Sequence, residues 1–312
     1  MTDLTRGELQ PESTARGNHN HRYRLVGLLY GLAAITAWGC YFPFAKLILK
    51  KLSPIVFLIF RLGIGAMILV TLSVRLRKSF RVKKSDTAGI ILAGLVGVVL
   101  HQLIQLTGLK HTTATNTGWI LTLIPPLTGL LGWIFLKEAV SLKQIAGLVI
   151  AMIGLSLFVS RGKPTSLSLV RNYGDVLALT SVATWSVYTV LTKSRLTRYD
   201  PLPVSAIHMG LGFAFFFLIG GWRIATEVAF LGTEDWVTIV LIGIVPSGLA
   251  YYWWNAALKR MTSVNTSTFL FLEAVVASLA GFLLLGERFT LPMVAAAGFI
   301  ILGVYITQAT RD

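Results

Sequence analysis

The sequence predicts an all-α integral membrane protein whose ten transmembrane helices form two inverted five-helix repeats. Three observations carry that expectation: an apolar composition, ten stretches long enough to cross a bilayer, and an internal similarity between the halves. Of 312 residues, 54% are apolar and only 13% charged, with a mean hydropathy of +0.72. A soluble domain has roughly a quarter of its residues charged. The apolar stretches are continuous rather than alternating, which argues against a transmembrane β-barrel. The net charge of +15 lies between apolar runs, which points to loops held at one membrane face and no nucleic-acid partner. The single Cys40 allows neither an internal disulfide nor a Cys-rich metal site.

Residues 1–24 are polar and lack the apolar core of a cleaved signal peptide, so they read as a disordered cytoplasmic tail. About twenty apolar residues cross roughly 30 Å of hydrocarbon. With that ruler the spans fall at 25–46, 54–74, 87–107, 113–136, 141–160, 175–194, 201–221, 236–257, 262–285 and 290–309. The fourth should bend at Pro125-Pro126. The fifth and tenth start at Ser141 and Thr290, and Ser141 with Gln144 has capping-box spacing. Short connections make sequential spans antiparallel neighbours. With the N-terminus inside, inside segments hold eighteen Lys and Arg and outside segments eight, which places both termini in the cytoplasm.

The halves repeat. At an offset of 147, Trp38 meets Trp185, Tyr41 meets Tyr188, Lys46 meets Lys193 and Pro54 meets Pro201; at 149, Asn116 meets Asn265, Gly132 meets Gly281, Glu138 meets Glu287 and Gly154 meets Gly303. The repeats are residues 25–160 and 175–309, joined by a linker at 161–174. Five spans is an odd number, so the second half enters the bilayer from the opposite side. Loop charge agrees: residues 75–86 carry +5 and the equivalent residues 222–235 carry −2. Inverted repeats place a substrate site near the midplane between the halves.

These residues resemble the EamA-like ten-span proteins of the drug/metabolite transporter superfamily. The resemblance rests on Trp38-Gly39 with Lys46, Pro54 with Arg61, Pro125 or Pro126, and Leu136-Lys137-Glu138 followed by Gln144, Gly147 and Gly154. In the second half it rests on Gly174-Asp175 with Trp185 and Lys193, then Leu272-Glu273, Leu285-Gly286-Glu287 and Gly303. It covers roughly residues 25–309. One departure is Ala274, where relatives usually have proline after the Leu-Glu pair, so the proline kink of the ninth span is in question.

Among the acidic residues only Glu273 lies in mid-span, where a carboxylate costs about 2.5–3.5 kcal/mol on insertion scales. It is a candidate coupling group or a site for a substrate amine; the alternative is a neutral carboxyl bonded to a neighbouring helix. Helical spacing puts it on one face with Thr262, Thr266 and Phe269. Arg61 and its counterpart His208 could read an anionic group, or Arg61 could snorkel or pair structurally. His101 and Gln105, with Gln102 beside them, suit cavity lining or interhelical hydrogen bonding. Trp38, Tyr41, Phe42, Trp119, Trp185, Tyr188, Tyr251, Tyr252, Trp253 and Trp254 suit flat or cationic substrates through stacking and cation–π contact. Those near span ends, Trp253 and Trp254 above all, could instead be interfacial anchors. Asn116 and Asn265 read as matched cavity contacts or helix caps, and Glu138 and Glu287 as helix-start residues. The substrate-binding candidates are thus Trp38, Tyr41, His101, Gln105, Asn116, Trp119, Trp185, Tyr188, Tyr251, Asn265, Phe269 and Glu273, with Glu273 also coupling.

The function this implies is secondary transport of a small metabolite by alternating access, in a plasma-membrane protein that is a monomer or a homodimer. The resemblance implies export of amino acids or related compounds, with import or exchange as the alternative. A lipid-modifying membrane enzyme lacks support: no span carries His-x-x-x-His, paired carboxylates, a Gly-rich phosphate loop or a Ser/His/Asp set. No catalytic residue, metal or cofactor is expected, and no Walker motif is present, so a gradient would supply the energy. A passive channel fits the inverted symmetry and the midplane carboxyl less well.

Overall fold

Proline and small polar residues mark where most of the helices begin. The computed structural model describes residues 11–112, 114–160, 170, 172–286 and 290–309, and every regular element among them is helical. Ten helices are long and apolar enough to cross a membrane: Arg22–Ala45, Pro54–Arg75, Lys84–Gly108, Asn116–Leu136, Leu142–Val159, Tyr173–Leu196, Pro201–Phe230, Thr233–Arg260, Ser263–Leu284 and Leu291–Gln308. These are spans 1 to 10. Ser53 Oγ accepts from the Val56 amide and Asp200 Oδ1 from the Leu202 amide, each with a proline at the first helical position. Ser141 and Gln144 form the reciprocal capping box that their spacing predicts. The first helix runs Pro11–Ile48, so residues 11–24 are helical rather than tail; a proline can open a helix without losing a bond. Glu287 and most of the linker 161–174 lie outside the described residues, as do the side chains of Phe42, Lys46 and Lys110.

Two pairs of spans that the repeat relates share interruptions. Spans 3 and 8 contain π-helical turns at Leu95–Leu100 and Gly243–Leu249. Span 4 breaks between Leu121 and Ile124, where Pro125 and Pro126 occupy the first turn of the new helix. Span 9 also breaks, at Phe269 between Ser263–Thr268 and Leu270–Leu285, although it has no proline. Its substitute is a hydroxyl cluster: Thr266 Oγ1 donates to the Thr262 carbonyl, and Ser267 Oγ and Thr268 Oγ1 to that of Val264. Side chains that bond to the preceding turn bend a helix.

The packing maps onto itself when the halves are exchanged. Span 2 lies on span 7 and span 5 on span 10; span 1 packs on spans 8 and 9 as span 6 packs on spans 3 and 4; span 2 meets span 8 as span 7 meets span 3. Spans 5 and 10 approach so closely that a Cβ at Gly154 would lie 2.7 Å from the Ile300 nitrogen, and one at Gly303 would strike the Ala151 backbone. Ion pairs follow the same relation. Arg198 with Asp86 (3.1 Å) and Lys51 with Asp235 (2.7 Å) occupy equivalent positions at opposite ends of the bundle.

Candidate functional site: an aromatic cluster beside an unpaired carboxyl

Spans 1, 3, 6 and 8 converge on one buried cluster. Residues three apart share a helix face, so Trp38 and Tyr41, Trp185 and Tyr188, and Tyr251 and Trp254 each project together. The Trp38 ring stands edge-on to Trp185 at 5.5 Å and to Tyr251 at 5.3 Å, with Trp254 at 5.5 Å. His101 lies 5.0 Å from Trp185, and Tyr188 5.2 Å from it. Trp38 and Trp185 are repeat equivalents, so the cluster sits on the seam between the halves.

Most polar tips in the cluster are held by hydrogen bonds. Trp38 Nε1 donates to the Pro246 carbonyl at 2.8 Å, in the π-helical turn of span 8. Gln102 Nε2 donates to the Tyr251 hydroxyl at 2.9 Å, and those two residues are also related by the offset of 149. His101 Nδ1 lies 3.2 Å from both the Ser181 carbonyl and Thr184 Oγ1; the carbonyl can only accept, which places the proton on Nδ1. The indole N–H groups of Trp185 and Trp254 have no bonded partner among the described residues.

Arg61, 3% exposed, is buried between spans 1, 2 and 8 rather than snorkelling. Its Nε donates to Ser247 Oγ at 2.9 Å and its Nη1 to the Tyr41 hydroxyl at 2.8 Å, with the guanidinium 4.7 Å from the Tyr41 ring centroid. No carboxylate pairs with it among the described residues. The symmetric pair is Tyr188 with His208, whose rings are 5.6 Å apart. Arg61 and Tyr41 reach the Tyr251 hydroxyl electrostatically, and so does Glu273. Glu273 is partly exposed and has neither hydrogen bond nor ion pair among the described residues. The bonded alternative finds no partner for Glu273 among the described residues. One helical turn earlier Phe269, 2% exposed, packs on span 1 where a Cβ at Gly31 would meet its ring.

Three other candidates lie elsewhere. Asn116 Nδ2 donates to Asp175 Oδ1 at 2.6 Å, tying span 4 to the start of span 6. Asn265 is buried and accepts from Gln144 Nε2 at 3.0 Å. Both amides are taken up by interhelical bonds rather than facing a cavity. Trp119 lines an apolar groove of about 360 Å³ with Val149, Met152, Ile153, Ser156 and Leu157, where Val149 and Ile153 are half exposed on the outer face of span 5. It does not join the cluster. Trp254, for which stacking on a substrate and interfacial anchoring were both open, is fully buried in the cluster, whereas Trp253 stays partly exposed. Gln102 and Trp254 join the cluster although the sequence reading, which named both, kept them out of the substrate-binding set, and the repeat offset that pairs Gln102 with Tyr251 was the signal available. Gln105 is partly exposed one turn along from His101.

The profile of the EamA-like transporter family matches this chain twice, over residues 25–160 and 172–308. The chain belongs to that family. Its two EamA-like matches each contain five of the spans described above. An uncharacterized transporter of Archaeoglobus fulgidus is 29% identical over 280 residues, covering 89% of this chain and 96% of that protein. The Bacillus subtilis uncharacterized transporter YyaM is 27% identical over 281 residues, covering 89% and 91%. A Streptantibioticus cattleyicolor protein described as a "probable terminal-alkyne amino-acid exporter" is 26% identical over 212 residues, covering 66% and 68%. A solved crystal structure superposes with a TM-score of 0.76 at 19% identity, covering 91% of this chain and 98% of that one, which shows the fold. The chain is thus a multi-pass membrane transporter of the EamA-like family.

Proposed function

We propose that this transporter exports a small organic metabolite, an amino acid or a related compound, across the plasma membrane by alternating access of two inverted halves. The unpaired Glu273 beside the aromatic cluster carries this reading, because a midspan carboxyl without a protein partner needs a proton or a substrate amine to offset its desolvation. Arg61 supplies the opposite sign across Tyr251, so a zwitterion can set its carboxylate toward Arg61 and its ammonium toward Glu273. Edge-on rings then accept an apolar or flat side chain. Self-exchanging packing and equivalent ion pairs support the inversion, and the exporter name of the Streptantibioticus relative supports the direction and the class.

Glu273 is the proton-coupling group in this scheme: protonated, it releases the amine, and ionised, it binds it. A thermal-shift screen of the purified protein against amino acids, nucleosides, sugar phosphates and vitamins identifies the substrate, and proteoliposomes then report its pH-driven movement. E273Q, a neutral side chain that mimics the amine-releasing form, should abolish the dependence on the pH gradient and raise KM for amine-bearing substrates, and R61Q should raise KM for carboxylate-bearing substrates. Gradient-driven transport that survives intact in E273Q removes the coupling role, and a screen in which only non-zwitterionic compounds bind removes the amino-acid assignment.

A further inference from the structure

Away from the cluster, where spans 1 and 8 end together, a pocket of about 240 Å³ is lined by Arg22, Tyr23, Val26 and Arg260. Arg22 opens span 1 and Arg260 closes span 8, so the pocket lies at headgroup depth. Arg260 is rigidly held. Its guanidinium sits between the Tyr23 and Tyr30 rings, 5.2 and 5.1 Å from their centroids, and its Nη1 donates to the Ala256 carbonyl at 2.8 Å. Among the described residues its buried Nε has no bonded partner and no acidic side chain lines the pocket. Tyr30 is fixed in turn by Tyr252, their hydroxyls 3.4 Å apart.

We propose that this pocket binds a phosphate group, and that its source is the headgroup of an anionic phospholipid. Two guanidinium groups with free N–H donors match phosphate oxygens in charge and fork geometry. Basic pockets beside membrane helices take anionic headgroups at the face where positive loops collect, and tyrosines favour the same depth. Val26, on the membrane side of the arginines, provides the apolar continuation that a lipid needs and a soluble phosphate does not. A bound lipid would join the ends of spans 1 and 8, which belong to different halves.

The test uses the delipidated full chain and reads its unfolding temperature as dioctanoyl phosphatidylglycerol is added, with dioctanoyl phosphatidylcholine and inorganic phosphate as parallel arms. A ligand that binds the folded state raises that temperature with its concentration. The expected result is a rise with phosphatidylglycerol that exceeds either control and is lost in R260Q and R22Q. Arg22 is exposed, so R22Q keeps the test valid if R260Q loses packing. A full shift retained in R22Q and R260Q, or no shift with phosphatidylglycerol, overturns the site. An equal rise with inorganic phosphate overturns the lipid source and assigns the pocket to a soluble anion.

Discussion

Arg61 and Glu273 were both visible as unusual residues for their depth, but only the partners separate their roles. Arg61 is bonded to Ser247 and Tyr41, whereas Glu273 has no bond among the described residues. Chain position says that a charge is buried; it does not say which side chains from distant spans reach it. Asp200, in the turn before span 7, offers a test outside the membrane. Burial raises its carboxyl pKa, yet the hydrogen bonds from Lys78 and the Leu202 amide and the charges of Lys78 and Lys259 outweigh it, so the net shift is downward. A lowered folded-state pKa contributes stability above the ordinary aspartate value of about 3.9, lost as pH falls through the lower folded value. D200N keeps an amide oxygen for the cap and removes the charge. The difference in unfolding temperature between parent and D200N should hold from neutral pH to mildly acidic pH and close below about pH 3.9. A gap that stays constant into strong acid would show that the carboxylate charge contributes nothing.

For single elements, the break in span 9 and the fastening of its start were the hardest features to read. The missing proline at Ala274 questioned a kink, and the structure keeps one through hydroxyls that bond to the preceding turn. Glu138 was read as belonging to the helix that follows it. Instead its Oε2 accepts from the Ser263 amide at 2.8 Å, at the start of span 9, and it lies 3.9 Å from Lys193 Nζ. Lys193 Nζ donates to the Leu258 carbonyl at 2.6 Å and to the Met261 carbonyl at 2.5 Å, where a cation also suits the helix C-terminus. One end of spans 4, 6, 8 and 9 is thereby fastened together. The joint repetition of lysine and glutamate at 46 and 193, 138 and 287 hinted at this partnership. K193M should weaken this fastening by about 1–3 kcal/mol, the cost of orphaned carbonyls. In a C40S background, a cysteine at the buried position of Thr266 should then react faster with a thiol reagent than it does with Lys193 intact. Equal labelling rates would show that the fastening does not gate access.

Over the whole molecule the proposed inversion is the property to test. Residues 75–86 and 222–235 are equivalent segments of opposite charge, and the proposed orientation would put them in cytoplasm and exterior respectively. In the C40S background, cysteines at the exposed positions of Ser79 and Gly232 should be labelled by an impermeant reagent from opposite sides of the membrane. Labelling from the same side would remove the inverted arrangement and the alternating-access scheme together.

Span number, element type and the two-fold repetition were all readable along the chain. Hydrocarbon thickness sets a length that each apolar stretch must meet, and a repeat leaves its imprint position by position. Which rings meet at the seam, which amides are consumed by interhelical bonds and which carboxyl is left unpaired emerged only in three dimensions. Those outcomes depend on contacts between residues more than fifty positions apart, and often more than a hundred, such as Trp38 with Pro246 and Gln102 with Tyr251. Trp119 and Trp254 make the point: each is a tryptophan in a membrane helix, yet one lines a groove on the outer side of the core and the other is fully buried within it.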